Sequence, residues 1–181
     1  TSKASVSNLS AKNARRMLLE GNVIENVWAS AQVGFALLLK SENQNGTAPW
    51  SQSTDITVRY NRIRNAGSGI NIAANPEGTS QVPAARIAVY DNAVENLGSS
   101  PYIGDGIPLQ ILGNTSDVVV AHNSWSNAGN MAISFDGGAE TRTVIHSNII
   151  PNGNYGVKGS GMASGTSTLN YYTPGGVFSY D

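Results

Sequence analysis

The feature that most constrains the fold of this sequence is a phrase that occurs five times: an apolar segment, then Asn, three residues, and a second Asn. The copies begin at Asn22, Asn61, Asn92, Asn123 and Asn148, so their first Asn residues are 39, 31, 31 and 25 residues apart. Internal similarity at such spacings is typical of solenoids, in which each repeat packs on its neighbours. We therefore expect one structural unit to recur along the whole chain.

Each repeat carries the pattern of three short strands. Apolar residues alternate with others before the first Asn, and three residues before it the copies have Leu19, Val58, Val89, Val120 and Ile145. Two residues after it stand Ile24, Ile63, Val94, Trp125 and Ile150, which indicates a second strand. A third apolar segment follows a turn and starts at Gly34, Gly69, Gly106, Asn130 and Gly156. Alternation of this kind is typical of β-strands, and three strands per repeat predict an all-β parallel β-helix of about five coils.

The first Asn of each copy is expected to form a ladder inside the solenoid. Equivalent residues of adjacent parallel strands lie roughly 4.8 Å apart, so each amide can donate to the next. Asn also tolerates the left-handed backbone expected at the bend between the first two strands. Replacing Asn92 by Ala is predicted to cost about 1 to 3 kcal/mol, because its buried partners would lose their hydrogen bonds.

Composition excludes several classes of function. The net charge is −1 and only 13% of residues are charged, so no basic surface for nucleic acid is expected. The sequence has no Cys and no apolar run long enough to span a membrane, and we expect neither a cofactor nor membrane binding. The 181 residues predict one domain, with a lead-in over 1–12, coils over 13–160 and a cap over 161–181. Thr1 is expected to lie in mid-solenoid, so the sequence also fits a fragment of a longer protein.

The repeat resembles that of a known family of β-helical proteins. It has the form Gly-Ile-x-Ile, a loop, then Val-x-Val-x-x-Asn-x-Ile-x-Asn, as at residues 69–72 and 87–96. In this it is similar to right-handed parallel β-helix repeat proteins of the pectate-lyase-like superfamily, above all to uncharacterised bacterial members, over roughly residues 13–160. The resemblance implies a right-handed, single-stranded β-helix that acts on or binds a polysaccharide or oligosaccharide and is secreted or periplasmic.

The sequence departs from the catalytic patterns of that superfamily. It lacks the Asn-Thr-Asp, Gly-Asp-Asp and Gly-His-Gly segments of polygalacturonase-like enzymes and the Asp cluster that binds calcium in pectate lyases. Whether the domain is an enzyme of the lyase or glycoside hydrolase type therefore stays open. The alternative is a non-catalytic structural or assembly β-solenoid module.

The resemblance places a binding groove along the outer face of the third strands. Outward residues there form a sparse polar stripe suited to sugar hydroxyls and carboxylates. Two aromatic residues in flanking loops are candidates for stacking on a sugar ring, although Trp50 could equally pin its own loop. The candidate substrate-binding residues are Lys40, Asn71, Gln110, Lys158, Trp50 and Tyr102.

Asp105 and Asp136 are the candidate catalytic acid and base. Cleavage of a glycosidic bond uses two carboxylates about 5 to 9.5 Å apart, and this pair comes from adjacent coils. His122 and His146 stand one and two residues before their Asn. This offset predicts that the two rings face opposite ways, so no metal site is expected.

The two ends of the solenoid are expected to differ. Residues 168–180 are aromatic and break the repeat, which predicts a strand or loop over the last coil, with Tyr171, Tyr172 and Phe178 covering the core. The polar N-terminal residues form a poor lid. The first coil near Met17 and Leu19 is therefore predicted to be covered by another chain, as in a homo-oligomer, or by residues outside this sequence.

Overall fold

The chain is built mostly of short parallel strands. A computed structural model describes residues 8–30, 33–43, 45–74 and 82–179. In chain order its elements are β1 (Leu9–Lys12), β2 (Arg15–Glu20), β3 (Val23–Val27), β4 (Phe35–Lys40), β5 (Thr54–Arg59), β6 (Arg62–Ala66), β7 (Ser68–Ala73), β8 (Ala85–Tyr90), β9 (Ala93–Leu97), β10 (Leu109–Leu112), β11 (Ser116–Ala121), β12 (Ser124–Trp125), β13 (Ile133–Asp136), β14 (Val144–His146), β15 (Val157–Gly159), α1 (Thr166–Tyr172) and β16 (Val177–Ser179).

These strands form three parallel sheets. The first sheet has the order β2-β5-β8-β11-β14-β16, the second β3-β6-β9-β12, and the third β1-β4-β7-β10-β13-β15. From β1 to β14 the chain visits the sheets in strict rotation, and we call one such round a coil. This arrangement agrees with the parallel solenoid predicted from the repeats.

The register of the first two sheets follows the Asn repeats, and the third sheet departs from the expected alignment. In the first sheet Leu19 pairs with Val58 and Val58 with Val89, as the repeats require. In the third sheet Ile70 pairs with Leu37, so the equivalent of Gly34 is Gly67 and not Gly69. A shift of two residues keeps every side chain on the same face, because the side-chain period of a strand is two. The expected inward and outward faces are therefore preserved.

The core fills the space between the three sheets. Ile63 and Val89, which the pattern placed inside, are both 0% exposed. In the third sheet Leu37, Ile70 and Leu109 are also completely buried. The apolar positions predicted from alternation are thus confirmed as core, with the least complete burial in the first and last coils.

The predicted internal Asn ladder is confirmed. The backbone N–H and Nδ2 of Asn61 donate to Oδ1 of Asn92 at 3.0 and 2.9 Å. Asn92 donates in the same way to Asn123 at 3.1 and 2.9 Å, and the pattern also joins Asn22 to Asn61 and Asn123 to Asn148. The ladder closes the corner between the first and second sheets from the inside.

The left-handed bend at this corner lies one residue earlier than expected. Tyr60, Asp91 and His122, each directly before a ladder Asn, have φ values of 55°, 56° and 54°. The ladder Asn residues themselves are not left-handed. The turn at the preceding residue places the amide at the inner side of the corner, where it can reach the next coil. The expectation that the ladder Asn adopts the bend was wrong.

The C-terminal end is covered by a helix rather than by a strand or loop alone. Thr168 and Tyr172, four residues apart on one face of α1, are both buried. The Tyr172 ring stacks on Phe135 of the last coils with centroids 5.9 Å apart. Phe178 in β16 packs partly buried against the core, whereas Tyr171 is 52% exposed and does not cover it. Tyr180 lies outside the described residues.

At the N-terminal end of the described residues each of the three sheets ends in a strand with one unpaired edge, namely β1, β2 and β3. Strand β1 belongs to the expected lead-in, yet it pairs with β4 and extends the third sheet. Among the described residues β2 and β3 are edge strands of their sheets. In the described ranges, no helix is both long enough and apolar enough to cross a membrane.

Candidate functional site

The outer face of the third sheet carries a row of polar side chains in register. Asn71 pairs with Gln110, Gln110 with Ser134 and Ser134 with Lys158. The equivalent residue in the preceding coil is Leu38. We call Asn71, Gln110, Ser134 and Lys158 the outer polar row. Three of its members were predicted as substrate-binding residues, and the structure brings them together on adjacent strands.

Hydrogen bonds connect the outer polar row from strand to strand. Nδ2 of Asn71 donates to Oε1 of Gln110 at 2.8 Å, and Nε2 of Gln110 contacts Oγ of Ser134 at 3.4 Å. The Lys158 ammonium turns away from the row and donates to the carbonyl oxygen of Met162. A contact of 3.4 Å is at the long limit for a hydrogen bond. The row is therefore held loosely at Ser134 and Lys158, where a ligand could compete for the donors.

Two shallow depressions flank this row and meet at Gln110. One, of about 160 Å³, is lined by Phe35, Leu38 and Asn71 among others. The other, of about 270 Å³, is lined by Met131, Ser134, Asp136, Lys158 and neighbouring residues. Together they form a trough that follows the stacking direction of the coils, with apolar and polar walls. Pockets for small organic ligands combine these two kinds of lining.

Lys40 lies beside the row in an ion cluster and not in the row itself. It pairs with Lys12 and Ala73 in the sheet, two residues further along its strand than Leu38. Its ammonium and that of Lys12 lie 3.0 and 2.9 Å from Oε2 of Glu42. Burial raises the pKa of Glu42, but the hydrogen bonds and charges of the two lysines outweigh it and hold that pKa below its usual value. The cluster is a compact ion triad at one edge of the trough.

The structure does not bring Asp105 and Asp136 together. Asp105 precedes Gly106, whose N–H donates to Gly67 at the start of β7. Asp136 ends β13, in line with Ala73 at the end of β7. Six residues of extended chain separate these two levels, which amounts to roughly 20 Å. Joint acid–base action on one glycosidic bond needs two carboxylates about 5 to 9.5 Å apart, so this pair does not fit it.

The two candidate aromatic residues have different environments. Trp50 is 73% exposed, so its ring is open to solvent and does not pin its loop. Tyr102 is engaged by the protein: its hydroxyl donates to Oδ1 of Asn26 at 2.9 Å and its ring lies 5.0 Å from that of Trp28. Of the two, Trp50 is the one whose ring face is available to a ligand.

A buried carboxyl group that the sequence analysis did not identify lies beneath the C-terminal helix. Glu140 is 0% exposed, and its Oε2 accepts hydrogen bonds from the N–H and the hydroxyl of Thr115. Among the described residues Oε1 has no hydrogen-bond partner. Burial raises the pKa of Glu140 to about 7, against the opposing effect of the Thr115 hydrogen bonds. The equivalent residues of the preceding coils are Ser53, Ala84 and Thr115, all small and uncharged. A Glu at this coil corner is the sequence feature that could have identified the buried carboxyl group.

The two histidines meet on the surface, contrary to the expectation that they face opposite ways. Their ring centroids are 5.4 Å apart and the rings are nearly perpendicular. The left-handed backbone at His122 breaks the alternation on which the expectation rested. In the part of the chain that the structure describes, no group of three or more His, Cys, Asp or Glu residues is arranged to hold a metal ion.

Comparisons with known proteins leave the geometry as the basis for any functional assignment. No protein-family model, no curated protein and no solved structure matches this chain.

Proposed function

We propose that this domain binds an extended polysaccharide or oligosaccharide along the outer face of its third sheet. The observation that carries the proposal is the outer polar row with its two depressions. The row offers amide and hydroxyl groups at the spacing of successive strands, Lys158 and Asp136 add charged groups beside it, and Leu38 and Met131 add apolar surface. Sugar rings present hydroxyls at their edges and apolar C–H faces, so a trough with both kinds of lining suits them.

The proposal includes the finer features that the repeat resemblance implies. These are a right-handed winding of about five coils, membership of the pectate-lyase-like superfamily, and a secreted or periplasmic location. The three parallel sheets and the Asn ladder support the parallel solenoid on which these features depend. The ion triad has two lysines, Lys12 and Lys40, for the one carboxylate of Glu42, and this excess of positive charge favours a ligand with some carboxylate groups.

Binding is favoured over cleavage within this proposal. The separation of Asp105 and Asp136 argues against the two-carboxylate mechanism. Of the two carboxylates, only Asp136 lines the depression that contains Lys158. There it can accept hydrogen bonds from sugar hydroxyls. We therefore assign Asp136 a binding role and propose no catalytic step.

A screen over acidic and neutral polysaccharides tests the proposal. Retardation in polysaccharide-containing gels measures binding, and reducing ends and unsaturated products measure cleavage. We expect retardation by at least one polysaccharide, weakened in the double variant Asn71→Ala/Gln110→Ala and unchanged in Thr57→Ala. Thr57 is a matched control, since it is a polar, half-buried residue on the first sheet. Equal retardation of the double variant and the wild type would refute the assignment of the site.

A second candidate function is assembly through the N-terminal end. Among the described residues, β2 and β3 have no partner strand on their outer edges. Unpaired strand edges are templates for pairing with another chain. Light scattering tests this function, and a dimer that is dissociated by Leu18→Lys would support it. A monomeric wild type would refute assembly, and if that monomer also bound no polysaccharide, both candidate functions would be refuted. Leu18 is suited to the test because it is 56% exposed in β2.

A further inference from the structure

The two histidines form a cluster at the corner between the first and second sheets, away from the third sheet. They are the only histidines of the sequence. His146 ends β14 and pairs with Ala121, while His122 follows Ala121 directly. The N–H of His122 donates to the carbonyl oxygen of His146 at 3.4 Å. The two imidazoles are therefore carried on adjacent strands with a fixed backbone relationship.

The spacing of the two rings matches that of two imidazoles on one metal ion. A metal about 2.0 to 2.1 Å from a ring nitrogen lies roughly 3.2 Å from the ring centroid. Two such rings at a tetrahedral angle have centroids roughly 5.2 Å apart. The observed separation is 5.4 Å. In the structure the rings meet edge to face. Rotation of one ring about its Cβ–Cγ bond, which is a soft torsion, can direct a nitrogen of each ring towards one ion.

A hydrogen bond orients one of the two rings. Nδ1 of His146 lies 3.0 Å from Oγ of Ser147. When Nδ1 donates its hydrogen to that oxygen, the lone pair is on Nε2, the nitrogen that a metal would bind. His122 is exposed, so the corner is open to solvent and to an ion. Asp91 occupies the position of His122 in the preceding coil, which puts a carboxylate one strand away.

We propose that His122 and His146 form a binding site for a transition-metal dication of the Zn²⁺, Ni²⁺ or Cu²⁺ type. Imidazole nitrogen is a preferred ligand of these ions, whereas Mg²⁺ and Ca²⁺ prefer oxygen. Water completes the coordination, because the described residues supply only these two close nitrogen ligands. The site is independent of the polysaccharide proposal, since it lies on a different face of the solenoid.

Calorimetric titration of tag-free protein with Zn²⁺ and with Ni²⁺ tests the site. We expect one ion per chain, loss of measurable binding in both His122→Ala and His146→Ala, and binding roughly tenfold weaker in Ser147→Ala. Ca²⁺ should produce no heat of binding. Circular dichroism melting of each variant should match the wild type, because both rings lie on the surface.

A spectroscopic readout locates the ion independently of affinity. Paramagnetic Ni²⁺ or Cu²⁺ should broaden amide resonances around residues 121–123 and 145–148 and spare those of the third sheet. Binding of equal strength in either single His variant would overturn the proposal. So would the absence of saturable binding in the wild type, or broadening centred elsewhere.

Discussion

Two rows of polar side chains run along this solenoid at the same strand spacing, and they differ in composition and in hydrogen bonding. The inner ladder repeats Asn five times and makes the same hydrogen bonds at each step. The outer polar row changes from Leu38 to Asn71, Gln110, Ser134 and Lys158, and its contacts range from 2.8 to 3.4 Å. Repetition of one residue therefore marks a structural role, whereas a varied row with fewer mutual hydrogen bonds fits the proposed binding role.

The two rows differ more in their hydrogen bonds than in their burial. The ladder amides of Asn61, Asn92 and Asn123 are almost completely buried, so each group must be bonded by the protein. Nδ2 of Asn92 also donates to the carbonyl oxygens of Val58 and Tyr90 at 3.0 Å. In the outer row Asn71 and Ser134 are also buried, at 5% and 7% exposed, whereas Gln110 is half-buried and can exchange its protein partners for water at little net cost. Substitutions in the two rows should therefore have unequal effects.

Asn92→Ala is expected to have the largest effect on stability. It removes a side chain that bonds the coils on both sides: the buried N–H of Asn61 loses its acceptor, and the carbonyl oxygens of Val58 and Tyr90 each lose one donor. We expect a loss of about 3 to 4 kcal/mol in the free energy of unfolding, measured by urea denaturation. This exceeds the sequence-based figure because the structure shows more bonds per amide. A midpoint equal to that of the wild type would contradict a structural role for the ladder.

Glu140 is a buried polar group of a different kind from the ladder amides. Among the described residues, its Oε1 receives no hydrogen bond from a neighbouring coil. Its folded-state pKa of about 7 exceeds the ordinary value of 4.5, so the folded chain keeps a proton that the unfolded chain releases. Stability should therefore be complete below pH 4.5 and fall as the pH rises to about 7, by at most about 3 kcal/mol. In Glu140→Gln this dependence should disappear, as measured by denaturation from pH 4.5 to 8.

Glu42 is the matched control for that experiment. It lies at a corner of the first coils and its pKa is lowered, because Lys12 and Lys40 outweigh the effect of burial. Its contribution should be present above its unfolded pKa and be lost as the pH falls through the folded value. The two Gln variants should therefore change the pH profile in opposite directions. Parallel profiles would show that the two carboxyl groups do not differ as the structure indicates.

Asn71→Leu is expected to have the smallest effect on stability. Its main described side-chain contact is the 2.8 Å bond to Gln110, which remains half-buried and can turn to water. We expect a change under about 1 kcal/mol, and weaker retardation by any polysaccharide that is found to retard the wild type. A loss of stability as large as that of Asn92→Ala would place the outer row in the framework of the fold and not in a binding site.

The structure of the repeating part of this protein could be predicted from its sequence. Period-two alternation placed Ile63 and Val89 in the core, and the recurrence of Asn92 and its equivalents predicted the ladder. Both inferences hold because they use nearest-neighbour rules: a strand buries every second side chain, and equivalent residues of parallel strands stack. Even the two-residue shift at Gly69 left the faces correct.

Features that depend on backbone turns and on the ends of the solenoid could be learned only from the tertiary structure. The left-handed φ of His122 brings it to His146, and no spacing rule foresees that. The separation of Asp105 from Asp136 depends on where along the strands each coil turns. Glu140 is buried because α1 covers the last coil, where no further repeat exists to predict its neighbours. Contacts between similar coils can be predicted from the repeat. Contacts where the repeat stops depend on tertiary packing alone.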